Sequence, residues 1–239
     1  MADETGKKRL FLGIEPRHHL RNFASLIIVV LSALFLKWGA KDIIWGLWAS
    51  SLSTGYLLVL IGCLQGLFMG KWGERIAATI SAAFLIPFFT VHFGGFHIGH
   101  AAFLMDFFPV NAPADSGAYR FVSRQFAALG APPRALPFVA NLAYVFQSYW
   151  IVVAATFVSR FHDFRKIATG KSGFNFMSPY VNVVRMHLLI FVFAGLNAAH
   201  LDRLALSPVL LFYFFPWGEL LFGRKKKTSA AASADTKTP

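Results

Sequence analysis

The chain has 239 residues, 56% hydrophobic and only 14% charged, where a soluble domain carries about 25% charged residues. Much of its surface therefore faces something other than water. The formal net charge is +12, but the basic residues gather just outside long apolar runs, which assigns them to orienting the chain in a bilayer and meeting anionic lipid. No nucleic-acid motif accompanies them, and one cysteine, Cys63, excludes disulfide frameworks and thiolate metal clusters.

Residues 1–22, ending in "EPRHHLRN", are too polar for the apolar centre of a signal peptide and read as a cytoplasmic segment. Residues 23–222 read as an all-α, polytopic membrane helix bundle of six transmembrane helices. The expected spans are Phe23 to Trp38, Ile43 to Met69, Ile76 to Phe108, Leu136 to Val158, Val181 to His200 and Leu204 to Phe222. Pro87 lies inside the long third span, so a kink or an extension beyond the hydrocarbon is expected there. The outer loop at 109–135 holds Tyr119, Phe121, Val122, Phe126 and Leu129 among Arg120, Ser123, Arg124 and Gln125. Two readings fit it: an amphipathic helix on the outer leaflet, or a loop packed on the bundle. Residues 223–239 form a basic, low-complexity tail that reads as disordered.

Charge sets the expected orientation. With six spans, sixteen Lys and Arg fall on the side of the tails and six on the other, with Arg185 inside a span. The excess places both termini in the cytoplasm, in a bacterial inner membrane.

Glycines come next. "IGCLQGLFMG" sets Gly62, Gly66 and Gly70 four apart, with Gly55 near the same face. Small residues at this spacing let two helices approach closely in lipid. In the third span, "HFGGFHIGH" places His92, His97 and His100 on one broad face beside Gly95 and Gly99. On an ideal helix His100 is about 80° from His92, and His97 about 60° further round. His92 falls near mid-membrane. His97 and His100 lie toward the outer boundary, level with Asp106 and with His200 and Asp202 of "NAAHLDR". Imidazoles and a carboxylate at this level are a ligand set for a transition metal or haem. Interhelical hydrogen bonding and a proton-linked role are the other two readings. Toward the inner side, Arg185 and Glu219 sit at similar depth on consecutive spans and read as an ion pair or as two groups snorkelling to the inner interface; His187, two residues from Arg185, would face a different neighbour if both face protein. Asn141, Gln147 and Ser148 read as polar glue between helices.

Two stretches resemble an uncharacterised family of bacterial integral membrane proteins, a domain of unknown function. "HFGGFHIGH" is similar to its H-[YF]-G-x-F-x-x-x-H segment. "MSPYVNVVRMHLLIFVFAG" is similar to a later segment in which a Pro-Tyr pair precedes a histidine by seven residues. The matching positions are His92, His100, Pro179, Tyr180 and His187. Where the family tends to carry Trp-x-Glu in its second span, this chain reads Trp48-Ala49-Ser50. A family acid near the end corresponds to Glu219. The resemblance implies the fold and singles out these histidines; it implies no reaction.

Three functional readings follow. The first is a helix-packing or accessory subunit of a membrane complex, with the lipid bilayer, other subunits or further copies of itself as partners and no nucleic acid. The second is a metal- or haem-binding membrane protein, an enzyme among the options, using the histidines. A small transporter is the third, and it lacks the broken helix pairs and internal repeat expected of one.

Overall fold

The computed structural model describes residues 16–171 together with 180, 184, 188–193, 195, 196 and 199. All regular structure among them is helical. In chain order the helices are α1 (Pro16–Phe35), α2 (Ala40–Met69), α3 (Trp72–Phe89), a π turn (Thr90–Gly94), α4 (Gly95–Phe107), α5 (Gly117–Leu129), a 3-10 turn (Pro133–Ala135), α6 (Leu136–Ser148) and α7 (Trp150–Ala168).

Helix α2 is the central post. Every residue from Ile43 to Ser51 is buried, so this half is enclosed on all sides. Beyond it only Thr54, Gly55, Leu58, Val59 and Cys63 are buried, a stripe at helical spacing. The helix starts where Gly39 donates its backbone N–H to the Asp42 carboxylate at 2.8 Å, satisfying one of the donors an α-helix leaves orphaned at its start. It ends in a tight turn to α3. There Lys71 N–H donates to Glu74 at 2.8 Å, and Arg75 Nε donates to the Leu67 carbonyl at 2.8 Å.

Helix α7 runs alongside α2 in the same direction: Gly46 lies against Val152, and Gly170 near Gln65. Helix α1 runs the other way along α7, with Ser25 donating to the Ala155 carbonyl at 2.9 Å and Trp38 meeting Tyr149 edge-on at 5.7 Å. The described residues of the next segment travel with α3 and α4, Tyr180 meeting Phe89 and Phe193 meeting Phe108.

Among the described residues two helices, Ala40–Met69 and Trp72–Phe107, are long and apolar enough to cross a membrane, or three spans if the bent pair Pro133–Ser148 and Trp150–Ala168 is one. Six spans and the side on which the termini lie therefore rest on the sequence reading. Helix α1 has the length of a span and covers most of the first expected one. The sixth expected span, the tail at 223–239 and residues 1–15 lie outside the described residues, as does part of the fifth span.

The third expected span is one 36-residue helix, about 54 Å long against about 30 Å of hydrocarbon. Pro87 has no N–H to give the preceding turn. Three residues on, the helix widens into the π turn, and Thr90 Oγ1 donates to the Ile86 carbonyl at 2.8 Å.

The fourth expected span needs correction. It is not one straight helix from Leu136 to Val158: α6 and α7 meet at 60°, with Tyr149 non-helical between them at φ −113°, ψ 21°. Tyr149 is held there by its edge-on ring contact with Trp38 and by its hydroxyl, which donates to Asp42 at 2.7 Å. The thirteen residues of α6 span about 20 Å, of which about half lies along the α7 axis. Helix α6 therefore slants away from the line of α7, and the pair is either a broken span or a re-entrant loop. A broken helix is thus present after all, which removes one of the two objections to a transporter.

Within the 109–135 loop, α5 begins with the Ser116 hydroxyl accepting from Tyr119 N–H at 3.2 Å and ends at Gly130, left-handed at φ 61°. It packs through Ala118 and Val122 and leaves Phe121 and Leu129 exposed. Asn141 and Gln147 of α6 fasten this loop by accepting from the Ala112 and Ala118 backbone N–H groups at 2.8 and 2.9 Å.

The glycines of α2 serve separate contacts. A Cβ at Gly46 would stand 2.7 Å from a Val152 methyl, one at Gly55 would strike the Phe93 ring, and one at Gly66 would sit 3.0 Å from the Ala78 Cβ. Helix α2 thus uses its small residues against α7, the π turn and α3 in turn. Phe93 is fully buried and cannot yield. Gly55→Ala is expected to destabilise the protein by about 1–3 kcal/mol through overpacking. Denaturation in detergent, followed by circular dichroism, would measure it; unchanged stability would contradict this packing.

Candidate functional site

The π turn and α4 carry all three histidines of "HFGGFHIGH", and the structure gives them different surroundings. His97 is buried against α2. Its Nδ1 lies 3.0 Å from the Phe93 carbonyl, which only accepts, so Nδ1 carries the proton. Its Nε2 lies 3.3 Å from the Ser51 hydroxyl of α2. The His97 carbonyl accepts from the Trp48 indole at 3.0 Å. One residue therefore joins α4 to α2 through both its ring and its backbone. The ring also rests on Phe93, centroids 4.3 Å apart. With both nitrogens so engaged, coordination of a metal by His97 would first break the link between the helices.

His92 and His100 line a different surface. Together with Gly95, Phe96 and Gly99 they border an open groove of about 500 Å³ along α4. His92 is exposed, stacked on Phe88 with centroids 5.5 Å apart and edge-on to Phe96 at 5.1 Å, with Tyr180 at 5.7 Å. His100 is buried at the far end, its ring 6.1 Å from that of His97. Among the described residues, a Cβ added at Gly95 or Gly99 would meet nothing within 4 Å. His92 and His100 are eight residues apart, about 12 Å along the helix, with both side chains leaning toward its N-terminus. They cannot share one ion.

Among the described residues no three His, Cys, Asp or Glu side chains converge to hold a metal. His187, His200, Arg185, Glu219 and Asp202 lie outside the described residues. Gly62 and Gly70 sit in and just after α2, with a Cβ at Gly70 reaching the Glu74 Cβ at 3.0 Å.

Sequence reasoning missed Ser51 and Trp48 as the partners of His97, and the bond between Asp42 and Tyr149. Trp48 and Ser51 stand three apart on α2, a spacing that puts them on one helix face. No sequence signal joins Asp42 to a tyrosine 107 positions away.

A family model described as a family of unknown function (DUF6498) matches residues 21–231. The chain belongs to DUF6498. The match runs from α1 past the described end of the chain, so the groove on α4 and the break at Tyr149 both fall inside the region that defines DUF6498. Family membership agrees with the resemblance at the level of an uncharacterised family, and it assigns no reaction. No curated protein matches the chain, and no solved structure does.

The bridging role of His97 has a measurable consequence. His97→Ala is expected to cost about 2–4 kcal/mol, from the cavity and the orphaned partners together. Ser51→Ala should cost about 1 kcal/mol, and His92→Ala should leave stability nearly unchanged. Denaturation of the three variants in the same detergent checks the order; a His92 effect as large as that of His97 would overturn it.

Proposed function

We propose that this DUF6498 protein is a helix-packing subunit of a membrane assembly, with the groove on α4 as the seat of a transmembrane helix from another subunit or another copy. The observation that carries the reading is the strip of Gly95 and Gly99, uncovered among the described residues, beside an exposed His92. The midpoint of the Trp72–Phe107 helix falls two to three residues before His92, so in a bilayer this imidazole would sit near mid-depth. A polar side chain exposed to lipid at that depth is costly and needs a protein partner. Glycines four apart provide the close approach that helix association in lipid uses. A bacterial inner membrane with cytoplasmic termini follows from the charge distribution and stands with the same proposal.

The other readings draw less support. A transition-metal or haem site would have to draw ligands from His187 or His200, and His97 is committed to holding α2. A transporter now has its broken helix. The break lies at the end of the bundle rather than at mid-membrane, where such sites form, and the sequence shows no repeat.

Gly95→Leu and Gly99→Leu test the proposal, because among the described residues a Cβ at either position meets nothing within 4 Å. Each variant should keep the unfolding temperature of the natural protein and lose the larger complex seen after mild solubilisation. A monomer in every gentle detergent for the unsubstituted protein, or a complex that survives both substitutions, would sink it.

A further inference from the structure

At the opposite end of the helix contacts from the α2–α3 turn, the break at Tyr149 opens a second cavity of about 310 Å³ between the start of α2, the chain after α4 and the end of α6. Six of its lining residues matter here: Trp38, Lys41, Asp42, Asn111, Tyr144 and Tyr149. The volume lies at the small end of ligand sites, which suits a compact polar group better than a large cofactor.

The chemistry of the wall is two-signed. The Asp42 carboxylate is fixed in place, one oxygen accepting from the Tyr149 hydroxyl at 2.7 Å and the other from Gly39 N–H at 2.8 Å. Each oxygen has a second lone pair, so the group can still take a cation. Three aromatic rings, Trp38, Tyr144 and Tyr149, line the same cavity, and aromatic faces attract organic ammonium ions. Lys41 follows a different direction on the helix from its neighbour Asp42, about 100° round. Among the described residues Lys41 forms no ion pair with Asp42, whose oxygens accept from Tyr149 and Gly39, so a positive and a negative group both line the cavity. Asn111 adds an amide donor beside it.

The geometry points to a binding site for a small zwitterion, an alkylammonium joined to a phosphate, with the ammonium on Asp42 and the aromatic rings and the phosphate on Lys41 and Asn111. The same chemistry is offered by the headgroup of phosphatidylethanolamine and by free O-phosphoethanolamine. The site is separate from the groove on α4 and does not depend on the assembly proposed there. The cap that Asp42 forms at the start of α2 is not wasted in this role, because it holds the carboxylate ready before the ligand arrives.

Native mass spectrometry of the full chain in mild detergent tests it, with phosphatidylethanolamine, phosphatidylglycerol and O-phosphoethanolamine as probes. Phosphatidylethanolamine or O-phosphoethanolamine should be retained about tenfold over phosphatidylglycerol, which has the phosphate but no ammonium, the factor expected for one charged contact. A lipid adduct assigns the site to the bilayer, and binding of O-phosphoethanolamine alone assigns it to a soluble zwitterion. Lys41→Gln, at an exposed position, and Asp42→Asn, which keeps an oxygen for Gly39, should each lower retention about tenfold. Equal retention of the two lipids without binding of O-phosphoethanolamine, or undiminished retention in a folded Lys41→Gln protein, would overturn the assignment.

Discussion

The junction of α2 with α4 depends on buried polar groups finding partners where water cannot reach. The Trp48 indole donates to the His97 carbonyl, and the His97 ring spans from the Phe93 carbonyl to the Ser51 hydroxyl. Higher on the same helix pair, the Trp45 indole donates to the Phe108 carbonyl at 2.9 Å. Left unpaired in an apolar interior, each such group costs several kcal/mol. The pairing therefore fixes the register of α4 on α2. Once that register is set, Phe93 falls against Gly55 and Leu104 joins Trp45 and Trp48 in one buried cluster. What remains on the other side of α4 is the face bearing His92, Gly95 and Gly99.

Much of this architecture was legible in the sequence because it follows from apolar length. The runs beginning near Ile43 and Ile76 announced α2 and the α3–α4 helix, and Pro87 announced a disturbance close to where the π turn forms. The break at Tyr149 was not legible. Ser148-Tyr149-Trp150 contains neither glycine nor proline, and the bend is held by Trp38 and Asp42, more than a hundred residues away. Tertiary contacts of that separation leave no periodic trace. The histidines illustrate the same boundary. Spacing alone made His92, His97 and His100 neighbours on one broad face, whereas packing separates a core bridge from two groove residues. Only the partner helix could reveal that Ser51 and Trp48 lie on the His97 side.

The broken helix and the two-signed cavity belong together. Because Tyr149 leaves the helical path, its hydroxyl reaches Asp42, and α6 slants away from the line of α7 instead of filling the space beside Lys41. Asn141 and Gln147 then hold the 109–135 loop to α6 through its backbone N–H groups. Membership in DUF6498 spans all these features. The chain thus separates its polar work into two places, an imidazole-lined groove along α4 and a charged cavity at the end of the bundle, with the His97 bridge as the structural member between α2 and α4.

The most direct test of that bridge is the nitrogen-15 spectrum of the histidine imidazoles in detergent-solubilised protein, assigned by His97→Ala and His92→Ala. His97 should show a protonated Nδ1 and an unprotonated, hydrogen-bonded Nε2, unmoved by added zinc(II). A protonated Nε2 with bare Nδ1, or a His97 signal that shifts or broadens on stoichiometric zinc(II), would show that the residue serves a metal rather than the junction of α2 and α4.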